Sequence, residues 1–86
     1  MERYELLISH SAEKSLKRVP KSDSAKVITA IEKLAIDPRP QGSRKLSGEA
    51  NVYRVRVGVY RIIYEIEDRI LRILVLKIGH RKDVYR

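Results

Sequence analysis

Tyr53-Arg54-Val55-Arg56-Val57-Gly58-Val59-Tyr60-Arg61-Ile62-Ile63-Tyr64 decides how this chain folds. Apolar and polar residues alternate on both sides of Gly58, the period-2 pattern of half-buried strands. A two-residue Gly-Val connection suits a type II′ turn, whose twist matches that of the strands it joins. The turn sets the register and predicts Val57 opposite Tyr60, Arg56 opposite Arg61, Val55 opposite Ile62 and Tyr53 opposite Tyr64. One face of the hairpin is then a core face of Tyr53, Val55, Val57, Tyr60, Ile62 and Tyr64. The other carries Arg54, Arg56 and Arg61. Like charges directly opposite one another are destabilising, on a scale where a cross-strand pair is worth about 0.2–1 kcal/mol. Stability gives no reason for such a cluster; a polyanionic ligand does.

Upstream, Tyr4, Leu6 and Ile8 alternate and predict a first strand over 3–8. Ser9 is placed to cap a helix from His10 to about Val19, with Ala12, Leu16 and Val19 on one face, and Pro20 ends it. Ser22 or Asp23 can cap a second helix reaching about Ile36, with Val27, Ile28, Ile31, Leu34 and Ala35 as a broad apolar stripe. Asp37-Pro38-Arg39-Pro40 stops that helix and opens a long loop to about Asn51, long enough to suggest a functional role. Downstream, a polar turn at Glu67-Asp68-Arg69 precedes an apolar strand from Ile70 to Ile78, central in the sheet or covered on both faces, which Gly79 breaks. The order is β-α-α-β-β-β. This is an α+β fold in which two helices pack on one face of a four-stranded, mostly antiparallel sheet, leaving the arginine face open.

The chain has 86 residues, enough for a single domain over 1–86 that buries roughly 60% of its unfolded surface. It has no cysteine and two distant histidines, so neither disulfides nor a cysteine- or histidine-rich metal site is expected, and no cofactor motif is present. Acids in Met1-Glu2-Arg3-Tyr4-Glu5 are wrong for a signal peptide, and Ile70–Ile78 is too short for a membrane span. The expectation is a cytoplasmic protein without membrane contact. A net charge of +8 favours an anionic partner. Between Arg39 and Arg61, six basic residues (Arg39, Arg44, Lys45, Arg54, Arg56 and Arg61) stand against one acid, Glu49.

The hairpin, the Lys45-Leu46-Ser47-Gly48 loop and the terminus Gly79-His80-Arg81-Lys82-Asp83-Val84-Tyr85 together resemble the RelE/ParE superfamily of toxins, and within it the RelE branch. The resemblance spans the whole chain. It implies a type II toxin that cuts messenger RNA in the ribosomal A site and is neutralised by a cognate antitoxin, with operator DNA reached only through that antitoxin. The family's catalytic basic residues fall on Arg54, Arg56, Arg61 and Arg81, its terminal tyrosine on Tyr85, and the basic residue beside the terminal arginine on His80. The spacing from Arg81 to Tyr85 is shorter than in the best-known relative. Arg44, Lys45, Lys77 and Lys82 are further candidates for contacts with messenger or ribosomal RNA.

The implied chemistry is metal-free attack of a ribose 2′-OH on the adjacent phosphorus. Its phosphorane gains negative charge that fixed donors can stabilise by several kcal/mol. Arginine offers phosphate a bidentate fork but is never deprotonated, so it cannot carry the protons. His80 has a suitable intrinsic pKa, and Tyr85 could serve if cations lowered its own. Tyr85 could instead stack on a base, and the residues leave these roles open. Two other functions remain in view: a ParE-like toxin acting on DNA gyrase, and an inactive module that joins an antitoxin in repression.

Overall fold

The structure is a computed structural model and describes residues 3–80. Its elements are β1 (Glu5–Ile8), α1 (His10–Arg18), α2 (Lys21–Leu34), β2 (Arg44–Lys45), β3 (Val52–Val57), β4 (Tyr60–Glu67) and β5 (Arg72–His80). One sheet runs in the order β1-β5-β4-β3-β2, with β1 parallel to β5 and every other pair antiparallel. The α+β class, the two helices on one face and the mostly antiparallel pairing are as the pattern predicts.

The sheet has five strands rather than four. The fifth is the two-residue β2, in which Arg44 pairs with Arg54 and Lys45 with Tyr53. Two polar residues carry no alternation to read, and this strand exists only because the β3 edge supplies hydrogen-bond partners. The last strand also starts and ends later than its apolar run. Asp68–Ile70 forms a 3-10 turn, Leu71 takes a left-handed φ of 51°, and Gly79 lies inside β5 instead of ending it.

The hairpin register is the predicted one, Val57 to Tyr60 and Arg56 to Arg61. Gly58, at φ 61°, supplies the positive φ that a type II′ turn needs at its first central position. Ser9 caps α1 through its hydroxyl, which accepts from the Ala12 N–H at 3.0 Å, and it donates to the Leu76 carbonyl at 2.8 Å. One residue thereby starts the helix and ties it to β5. Pro20, not Ser22 or Asp23, occupies the cap position of α2, since its fixed φ suits the turn between the helices.

Ala12, Val27, Ile31 and Leu34 meet Ile62, Tyr64, Ile66, Ile73, Val75 and Ile78 in one core, bordered by Tyr53, Val55, Val57 and Tyr60. β5 lies between β1 and β4, which accounts for its apolar character. A β-bulge opposite Ile63 and Tyr64 inserts Leu76 into β5, where Ile63 pairs with Lys77 but Tyr64 pairs with Val75. The extra residue shifts the alternation by one. Ile78 and His80 therefore share the helix side with Ile73 and Val75, while Lys77 and Gly79 face the other way. No described helix is long and apolar enough to cross a membrane.

A cationic open face as candidate RNA interface

Arg54, Arg56 and Arg61 project from the sheet face that no helix covers. The register places them in two rows across the strands. Arg44, Arg54, Ile63 and Lys77 form one; Arg56, Arg61 and Gly79 form the other. Neighbouring strands lie about 4.8 Å apart, and residues i and i+2 along a strand about 6.6 Å apart, so the five cations form one continuous patch. Neither row contains a carboxylate. Acids enter further along, where Glu65 follows Ile63 on the same side of β4.

Ile63 is only 7% exposed despite sitting on the open face. Its row neighbours Arg54 and Lys77 carry long aliphatic stems that can lie over it while their charged ends reach water. Gln41, Gly42, Arg44, Arg54, Val55 and Arg56 line a concave site of about 460 Å³ at the β2–β3 edge. Three guanidinium-bearing residues around one hollow make it suited to phosphate, which accepts the planar fork of arginine in bidentate fashion.

Of the candidates named from sequence, Arg44, Arg54, Arg56, Arg61 and Lys77 come together. Lys45 does not join them, because its partner is Tyr53 and it lies toward the helix side of the sheet. His80 also lies on that side, opposite Tyr60, with the two rings edge to face at 6.1 Å between centroids. It borders a second hollow of about 380 Å³, between the end of β5 and α1, that Ser11, Ser15, Arg18 and Tyr60 also line. Gly79 alone separates His80 from the Arg61 position. The expected roles of Arg81, Lys82 and Tyr85 fall outside the described residues. Among the described residues, no group of three or more His, Asp or Glu side chains could hold a metal ion.

A second cluster was not anticipated. Arg39 donates to Asp68 from both terminal nitrogens, at 2.8 and 3.4 Å, and from Nε to the Tyr53 hydroxyl at 3.2 Å. Its guanidinium also lies 5.2 Å from the Tyr53 ring centroid. Tyr4 donates to Asp68 at 2.6 Å. These bonds hold the Asp68 carboxyl below its usual range, with Arg39 the larger cause, and hold the Tyr4 hydroxyl above its own through the bond to Asp68. Tyr53 stacks on Tyr64 at 6.1 Å, and the Tyr64 hydroxyl donates to the Pro38 carbonyl at 2.7 Å. Burial pushes Tyr64 up to about 12. Burial, followed by the nearby Asp23 charge, raises Tyr60, whose hydroxyl donates to Asp23 at 3.3 Å. Arg39 and Asp68 are 29 residues apart, and no local pattern connects them.

Residues 6–85 match the family model described as the ParE toxin of type II toxin–antitoxin system, parDE. The chain is 37% identical over 78 residues to RelE1 of Methanocaldococcus jannaschii, covering 85% of this chain and 84% of that relative. It is 29% identical over 84 residues to toxin RelG of Mycobacterium tuberculosis, covering 96% and 97% of the two. Its fold superposes with a TM-score of 0.83 on the RelBE2 toxin–antitoxin complex of M. tuberculosis, at 27% identity and with 96% and 97% of the chains covered. An equal score, at 28% identity and 95% and 99% coverage, is found against the archaeal RelE–RelB complex of Pyrococcus horikoshii. The matching family model bears the ParE description while the similar chains are named for RelE, and with both the chain belongs to the RelE/ParE toxin superfamily, its relatives predominantly of the RelE branch.

Proposed function

We propose that this chain is a ribosome-dependent endoribonuclease toxin that cleaves messenger RNA in the A site and is silenced by a cognate antitoxin. One observation carries the reading: Arg56 and Arg61 share a register position beside Arg54, with Arg44 and Lys77 extending the same open face. Arg61, half-buried and next to Gly79, is the residue best placed to hold the scissile phosphate together with Arg81. Arg54, Arg56 and Arg44 position the flanking backbone and raise the local potential.

The proton transfers need another group. Because the His80 ring lies across the sheet from the arginines, its position favours Tyr85 as the direct proton carrier, with His80 at the rim. An antitoxin partner is supported by the similar structures, which are antitoxin–toxin complexes. Exposed Leu7 on the edge strand β1 provides apolar surface that such a partner could cover.

Primer extension on a translated messenger, with and without ribosomes, tests the reading. Cleavage stops within codons only when ribosomes are present are the expected result. The ParE description of the matching family favours a second reading, inhibition of DNA gyrase without RNA cleavage. A supercoiling assay on the same preparation separates the two, since gyrase inhibition with intact messenger would replace the first reading by the second.

A further inference from the structure

We propose that Arg39 and Asp68 form a positioning pair that sets Arg44 into the cationic face, Arg39 itself making no contact with RNA. The proposal rests on the open face being the RNA site. The pair is poorly suited to a purely stabilising role: its side chains are 43% and 51% exposed, and exposed ion pairs add little to stability. Its geometry is nonetheless over-determined. Arg39 is held by two bonds to Asp68, one to the Tyr53 hydroxyl, the Tyr53 ring, and a bond from its own N–H to the Asp37 carboxylate at 3.2 Å. The neighbouring Pro38 carbonyl accepts from the buried Tyr64.

The chain leaving this anchor turns at once. The Ser43 N–H donates to the Pro40 carbonyl at 3.0 Å, and Gly42 takes φ 93°, which a β-branched or bulky residue would adopt only with strain. Arg44 is the next residue, opposite Arg54, and the same turn supplies Gln41 and Gly42 to the hollow that the arginines line. A two-residue strand has few bonds of its own to hold a cation beside other cations. Fixing Arg39, five residues upstream, supplies the restraint.

Binding of a short fluorescent 2′-O-methyl RNA oligonucleotide, which lacks the nucleophile and stays intact, tests this at several salt concentrations. Asp68→Ala removes an acid and raises the net charge by one, so general electrostatics alone would tighten binding. A positioning role demands the opposite. The expected loss is about three- to tenfold, for part of one charge-assisted contact. The salt dependence should become shallower by about one counterion, as it does in Arg44→Ala. Combining Asp68→Ala with Arg44→Ala should cost no more than Arg44→Ala alone, since both act through one side chain. Faster amide exchange at Ser43 in Arg39→Ala, with the β4 core amides still protected, would place the change in the turn.

Tighter or unchanged binding by Asp68→Ala, or independent losses in the double variant, overturns the positioning role. If Arg61→Ala still weakens binding in that case, the nuclease reading survives without it. If Arg54→Ala, Arg61→Ala and Arg44→Ala all bind like the parent protein, the open face is not the RNA site and both readings fall together.

Discussion

Arg56 and Arg61 stand directly opposite one another across the β3–β4 hairpin, at one register position of the open sheet face. Two like charges opposite one another repel and concentrate positive potential where an anion would bind. Arg56→Thr should therefore raise the thermal midpoint by a few degrees, since about 0.5 kcal/mol shifts a domain of this size by roughly 2–4 °C. The gain should shrink as added salt screens the repulsion. Calorimetry at low and high salt checks it, and a lowered midpoint would show that the pair is not a source of strain.

Arg61→Ala and Arg81→Ala should each slow cleavage by about 10²–10³-fold, the typical cost of removing one donor from developing oxyanion charge. Single-turnover cleavage on programmed ribosomes measures the loss, and co-purification with the antitoxin tests whether the fold persists. Growth arrest that survives both substitutions would move the gyrase reading ahead.

Tyr64 predicts a distinct alkaline behaviour. Its folded pKa, pushed up to about 12 by burial, exceeds the unfolded value near 10. The folded state thus keeps a proton that the unfolded chain has lost. Stability from this group is complete below pH 10 and is lost as pH rises toward 12. Tyr64→Phe should flatten that part of the pH–stability curve. At neutral pH it should cost about 1 kcal/mol, because it deletes the donor to the Pro38 carbonyl. Urea unfolding from pH 8 to 11.5 for both proteins supplies the comparison, and identical curves would remove Tyr64 as the cause.

Free RNA should be a poor substrate. The arginine rows hold no aromatic side chain, because Tyr53, Tyr60 and Tyr64 border or enter the core on the opposite side. Single-strand binders gain about 1–3 kcal/mol for each stacked base, a term these rows do not provide. Binding should be weak and steeply salt-dependent, and the ribosome would supply the in-line orientation. Cleavage rates for one RNA, free and in the A site at near-physiological salt, decide this. Equal rates would end the claim of ribosome dependence while leaving the nuclease assignment in place.

The hairpin was legible because two independent signals, alternation and a turn glycine, agree on one register, and a register fixes which side chains share a face. Ser9 as a helix cap was legible for the same local reason. What escaped depends on partners distant in sequence. β2 forms only against β3, and Leu71 adopts its left-handed backbone where the chain reverses into β5. The Arg39–Asp68–Tyr53 cluster joins a loop, a turn and a strand whose proximity only the folded chain creates. The candidate site shows the same division. Arg54, Arg56 and Arg61 could be placed on one face from the hairpin alone, whereas Lys77 and His80 could not be assigned to faces without the bulge at Leu76.

That inserted residue has a consequence for how the molecule tolerates length change. Before it, odd-numbered positions of β5 (Ile73, Val75) look toward the helices; after it, even-numbered ones (Ile78, His80) do. Deleting Leu76 would restore an uninterrupted ladder, because Val75 and Lys77 already pair with the adjacent Tyr64 and Ile63, and every side chain beyond it would keep its face. Drawing Leu76 into the ladder opposite Ile63 would instead exchange the faces: an ammonium and a glycine would be driven against the helices, while an isoleucine and an imidazole turned outward beside Arg61. Strand parity at this one point thus decides both what closes the core and what greets a ligand. Loss of Leu76 should therefore be tolerated with both faces in phase, while loss of Ile78, which puts Lys77 or Gly79 at its core position, should damage folding and the outward chemistry together.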